Sequence, residues 1–171
     1  MSTQNAVRVT TQVYRIYIKA TSQAVWDAIT APEWTQRYGY GGIVDYDLTP
    51  GGRAVQTAGP GMQAQGVTGE IVDGEVVEAE PPVKLVLTFR MLMDPTCMAE
   101  GFTRVSYDLK ALEEGGVRLT VSHELDGAPN LAVMVGGELE DVAGMGGAGG
   151  GWAWILSDLK SLLETGSPIA K

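Results

Sequence analysis

The one histidine of this 171-residue chain, His123, is the side chain best suited to proton transfer near neutral pH. In the stretch 118–125 (RLTVSHEL), alternation groups His123 with Leu119, Val121 and Leu125, opposite Arg118, Thr120, Ser122 and Glu124. It therefore points where the apolar residues point, toward a core or a cavity. Two readings stand. One is a core histidine hydrogen-bonded to backbone or to a tyrosine, and the other is a polar contact to a ligand. General acid–base catalysis would want an inward carboxylate to orient the ring, and the pattern offers none nearby. Cys97, the only cysteine, sits in MLMDPTCMAEGF (91–102) with Met91, Met93 and Met98. It could pair with His123 as a nucleophile, but nothing in the spacing brings the two together. A free cysteine packs more often as a small hydrophobe, and the methionines suit either a cavity rim or a core.

Other strings carry less. Gly144-x-Gly146-x-x-Gly149 matches a dinucleotide fingerprint in letters, but it follows ELEDVA rather than a buried strand opening a βαβ unit. Glu138, Glu140 and Asp141 read as a solvated acidic face rather than a cation site. One histidine and one cysteine cannot assemble a zinc site of several His and Cys ligands. There is no nucleophile-elbow or P-loop string. No catalytic residue, metal or cofactor is expected.

The elements that would position His123 follow from periodicity. Residues 13–20 alternate as a strand, with Tyr14, Ile16 and Ile18 on one face. Thr21 and Ser22 are plausible N-caps for a helix burying Val25, Trp26 and Ile29, and Pro32 opens a second short helix over 32–38. Strands are expected at 43–49, 53–58, 67–74, 75–80, 83–90, 103–112 and 117–125, each step joining neighbours, so the sheet is antiparallel. In 83–90, Val83, Leu85, Leu87 and Phe89 share a face. Trp152, Ile155, Leu156, Leu159, Leu162 and Leu163 then recur at the spacing of one helical face, ended by Gly166 and Pro168. Between these regions, 136–151 holds eight of the 23 glycines and reads either as a mobile gate ahead of Trp152 or as a loose surface connection.

Composition bounds the rest. A net charge of -9, from 12 Lys+Arg against 21 Asp+Glu, repels phosphate backbones and argues against nucleic-acid binding. No apolar run approaches the roughly 18 residues of a membrane span. One cysteine and no secretory layout at the N-terminus point to the cytoplasm. The chain reads as one domain over 1–171, with 1–10 a flexible tail.

Three strings, IYIKATSQAVWDAITAPEWTQRY (16–38), GEVVEAEPPVKLVLTF (74–89) and GGWAWILSDLKSLLE (150–164), resemble the START-like (SRPBCC, birch-pollen-allergen) superfamily. Within it they look like the branch named for activator of heat-shock-protein 90 ATPase homologues. The resemblance implies an α+β helix-grip fold: a curved antiparallel sheet of about six to seven strands around a long C-terminal helix, with two short helices after the first strand. It also implies a cavity between sheet and helix. Trp34, Tyr38, Tyr40, Phe89, Met91, Tyr107, Val121, His123, Trp152 and Leu156 would then stand at its walls or mouth. The expected task is to carry or sense a small apolar or aromatic molecule. The alternatives are a polyketide-cyclase or aromatase-like enzyme and a chaperone-regulating interaction module, the latter with a role in stress response. Trp154, off the buried stripe of the last helix, points to a homodimer.

Overall fold

The computed structural model describes residues 11–137 and 150–169. The expected tail at 1–10, the acidic cluster at 138–141, the glycine string at 144–149 and most of the glycine-rich gate lie outside the described residues.

The chain opens with strand β1 (Thr11–Ile18), whose alternation turns Tyr14, Ile16 and Ile18 inward. Helices α1 (Ser22–Thr30) and α2 (Pro32–Thr35) follow. Thr21 caps α1, its hydroxyl accepting the Ala24 amide proton at 3.1 Å, and Val25, Trp26, Ala28 and Ile29 form the buried face. Six strands and two short helices come next: β2 (Ile43–Tyr46), β3 (Ala54–Thr57), α3 (Pro60–Ala64), β4 (Glu70–Asp73), β5 (Val76–Glu80), β6 (Lys84–Met91), α4 (Pro95–Ala99) and β7 (Thr103–Ala111). The chain then forms β8 (Val117–Glu124), α5 (Pro129–Val135) and the closing helix α6 (Gly151–Thr165).

The eight strands form one antiparallel sheet in the order β1-β8-β7-β6-β4-β3-β2, with β5 also paired to β6. β4 and β5 lie along successive parts of β6, Val72 opposite Met91 and Val76 opposite Leu87, so they act as one strand broken at Gly74 and Glu75. Two expectations need correction. The sheet is not built from sequence neighbours alone, because β1 pairs with β8, Tyr14 opposite Val121 and Gln12 opposite His123. Val83 is exposed rather than inward, since it precedes the strand and belongs to the turn after Pro81-Pro82.

Helix α6 lies against the inner face with Trp152, Leu156, Leu159 and Leu162 buried, joined by Ile155 and Leu163 at partial burial. Gly166, in the left-handed conformation at φ 83°, ends it, as the sequence indicated. At its other end Gly151 has φ 70°, and a Cβ there would collide with the carbonyl oxygen of Val135. Only glycine lets α6 start this close to the end of α5. Helices α3, α4 and α5 were not expected. Each has proline in its first turn, and α4 is capped by Asp94, which accepts the Thr96 and Cys97 amide protons at 2.8 and 3.0 Å.

Candidate functional site

β7 and β8 place His123, Val121, Val105 and Tyr107 side by side on the inner face, with Val105 opposite His123 and Tyr107 opposite Val121. Phe89 on β6 adds an edge-to-face contact with the imidazole at 5.2 Å, and Trp152 descends from the first turn of α6 onto the same ring at 6.0 Å. His123 is fully buried.

Both imidazole nitrogens have protein partners. The Trp152 indole N–H donates to Nδ1 at 3.1 Å, and Thr103 Oγ1 lies 2.7 Å from Nε2. Indole nitrogen can only donate, so Nδ1 must be the unprotonated, accepting nitrogen and Nε2 must carry the proton. The Nε2–H group then donates to Thr103 Oγ1, which in turn donates to the Phe89 carbonyl at 3.1 Å. Burial lowers the His123 pKa to about 4, which holds the ring neutral. This is the core histidine of the sequence reading, with Thr103 and Trp152 in place of backbone or tyrosine. Its chemical consequence is positional: the relay sets the angle at which Trp152 enters the inner face.

Tyr107 departs from its surroundings. Its neighbours across the ladder, Leu85 and Val121, are each 0% exposed, yet Tyr107 between them keeps accessible surface. Its ring makes an edge contact with Trp152 at 6.1 Å. Tyr46 on β2 and Tyr38 after α2 behave likewise, retaining surface while packing against the core. All three phenols have pKa values raised above the ordinary range, first by desolvation within the protein. Tyr46 also acts on Tyr38 and Tyr107, and Tyr38 on Tyr107, so the three share one neighbourhood. Accessible surface and desolvation are compatible where the surface faces a space that protein encloses. Tyr38 donates to the Ala28 carbonyl at 2.8 Å, and Tyr46 accepts from Gln56 Nε2 at 3.2 Å.

Of the ten residues expected at a pocket, Phe89, Tyr107, Val121, His123 and Trp152 come together, with Leu156 one turn along α6. Tyr38 joins them through its interaction with Tyr107. Met91 is buried at the end of β6, opposite Val72. Tyr40 stands at the start of α6, where its hydroxyl accepts the Gly151 amide proton at 2.8 Å. Trp34 lies at the core's periphery under Arg37, whose guanidinium is 4.7 Å from the ring centroid. Sequence reasoning missed Tyr46, Gln56, Thr103 and Asp158. Tyr46 and Gln56 share the inward side of their strands with Val44 and Ala54, and that parity was a usable signal. Asp158 interrupts the apolar stripe of α6 and is 2% exposed. Its two oxygens accept the Gly39 and Ile169 amide protons at 2.7 and 2.6 Å, tying the loop after α2 and the C-terminal segment to the helix.

Among the described residues the partners of the His123 nitrogens are Thr103 and Trp152 rather than Cys97. Cys97 is buried on α4, and its thiol pKa is raised by burial and then by Asp94 and Glu100, which disfavours the thiolate. Among the described residues no cluster of three or more His, Cys, Asp or Glu could hold a metal, and no helix is long and apolar enough to cross a membrane.

A family profile described as Activator of Hsp90 ATPase homolog 1-like protein matches residues 19–164. The chain belongs to that family. The match spans α1 through α6, so the Activator of Hsp90 ATPase homolog 1-like family covers the inner face, the tyrosines and the closing helix alike. Solved structures share the helix-grip fold. Protein MLL2253 of Mesorhizobium loti aligns with a TM-score of 0.63 at 19% identity, over 90% of this chain and 96% of that one. CalU16 of Micromonospora echinospora gives a TM-score of 0.62 at 20% identity, over 92% and 76%. An Aha1 dimer from Colwellia psychrerythraea gives 0.59 at 18% identity, over 91% and 97%. At these identities the likeness concerns the fold. No curated protein matches this sequence.

Proposed function

We propose that this protein binds a small apolar molecule in a space between the sheet's inner face and α6. The observation that carries the reading is Tyr107: it lies inward between two fully buried neighbours, against Trp152, and still has accessible surface. A filled core would cover it as it covers Leu85 and Val121. Phe89, Trp152 and Leu156 supply apolar wall, and such surfaces suit an aromatic or aliphatic ligand. The reading is noncatalytic: the one imidazole is neutral, with both nitrogens bonded to protein, and the one thiol is held as a thiol. Calorimetric titration with neutral one- to three-ring aromatic hydrocarbons tests the proposal. Saturable 1:1 binding of at least one is expected, and no binding across the set would contradict it.

Trp154 favours a second, compatible reading. It is only half-buried on α6, off the buried stripe, and the Colwellia psychrerythraea relative is described as a dimer. We infer that the face bearing Trp154 contributes to a homodimer. Sedimentation showing only monomer at high micromolar concentration would contradict this.

A further inference from the structure

The proposed space has a polar end, and its chemistry narrows the ligand class. Tyr107 places a phenol on the inner face, and among the described residues its hydroxyl has no hydrogen-bond partner. Tyr46 accepts from Gln56 Nε2 at 3.2 Å, which leaves its own proton undirected. The carboxamide oxygen of Gln56 faces Gly42, where an added Cβ would stand 3.1 Å from it. Tyr38 has committed its proton to the Ala28 carbonyl and can only accept. Gln56 on β3 is bonded to Tyr46 on β2, and Tyr46 and Tyr38 are near enough to Tyr107 on β7 to act on it electrostatically, so these uncharged polar groups neighbour one another.

We propose that Tyr107, Tyr46 and Gln56 form an uncharged hydrogen-bonding end of the binding space, which selects apolar molecules bearing a neutral carbonyl or hydroxyl group. This rests on the small-molecule reading above. Two undirected phenolic protons match the lone pairs of a ketone, quinone or phenol oxygen, and the Gln56 carboxamide adds either a donor or an acceptor. The Tyr107 hydroxyl, which keeps its accessible surface, can give its proton to a ligand oxygen that takes the place of water. Charge works against anions. The groups that act on Tyr107 electrostatically are Tyr46 and Tyr38, with no Lys or Arg among them. A carboxylate would be desolvated there without a counter-charge.

Three probes of one ring size separate the possibilities: 2-ethylnaphthalene, 2-acetylnaphthalene and 2-naphthoate, titrated calorimetrically at pH 7.5. Wild type is compared with Tyr107→Phe and Tyr46→Phe, each checked by near-UV circular dichroism and thermal melting. In Tyr107→Phe the ketone-to-hydrocarbon affinity ratio is expected to fall roughly three- to tenfold, the worth of one neutral hydrogen bond. Naphthoate is expected to bind wild type more weakly than either neutral probe. Tyr46→Phe supplies the second reading if Tyr107→Phe does not fold. A ratio unchanged in every folded variant overturns the inference, as does tightest binding by naphthoate, which would demand a cation. Ethylnaphthalene binding without any ketone effect leaves the binding space intact and removes only its polar end. Failure of all three probes removes both.

Discussion

Trp152 donates its indole proton to Nδ1 of His123 across 3.1 Å, and that single bond fixes which imidazole nitrogen carries the proton. The closing helix is thereby keyed to the centre of the sheet by a directional contact as well as by apolar packing.

Trp152→Phe should leave Nδ1 buried and unpaired while keeping most of the aromatic contact. The expected loss is about 1–3 kcal/mol of stability. Thr103→Val removes the other partner and should cost a similar amount, with the double variant less than additive because both act on one ring. Denaturant unfolding of the two single variants and the double checks this. Additivity within error would show that the relay does not act as a unit.

The same burial makes stability depend on pH. The His123 pKa falls from 6.5 to about 4 on folding, so below pH 6.5 the unfolded chain takes up a proton that the native state refuses. Stability contributed by the neutral ring is complete above pH 6.5 and declines as pH drops toward 4. Between pH 7.5 and 5.5 the loss should be roughly 1–1.5 kcal/mol, and His123→Gln should flatten that slope whatever it does to absolute stability. Glu164, whose pKa is lowered by its bond to Lys160, titrates outside this window. An equal slope in the variant would mean that the histidine is not the group responsible.

Leu159 is buried on α6 within the main apolar cluster, and Leu159→Ala should cost about 2–5 kcal/mol. A melting temperature indistinguishable from wild type would contradict the packing of α6 against the sheet.

Asp158 should act through the backbone groups it holds. Asp158→Ala removes the acceptor for the Gly39 and Ile169 amides, at a cost of about 1–3 kcal/mol. Amide exchange at Gly39 should accelerate while the β7–β8 hairpin keeps its protection. Unchanged exchange at Gly39 would contradict the latch.

The fold was legible because its signals are local and periodic. Thr21 caps its helix, the inward parity of β8 runs through His123 as read, and the stripe from Trp152 to Leu163 gives the closing helix. The pairing of β1 with β8 was not legible, since register between strands separated by a hundred residues is a tertiary choice rather than a local one. Short helices such as α4 were obscured because five residues carry too little periodicity, although Asp94-Pro95 is a cap and first-turn pair. At the site, alternation placed His123 inward but could not name its partners. Thr103 and Trp152 reach it from a neighbouring strand and from α6, 20 and 29 positions away. Tyr46 and Asp158 were missed for a related reason: an inward polar residue stands out only once its burial is known.

The central claim is that an apolar molecule enters beside Tyr107 and Trp152, and the indole N–H resonances of the four tryptophans test it most directly. In ¹H–¹⁵N spectra titrated with 2-ethylnaphthalene, the Trp152 indole signal should shift saturably, while that of Trp34, at the periphery under Arg37, stays in place. Saturation of a shift at Trp34 or Trp154 with Trp152 unmoved would place the probe on the surface and contradict the account.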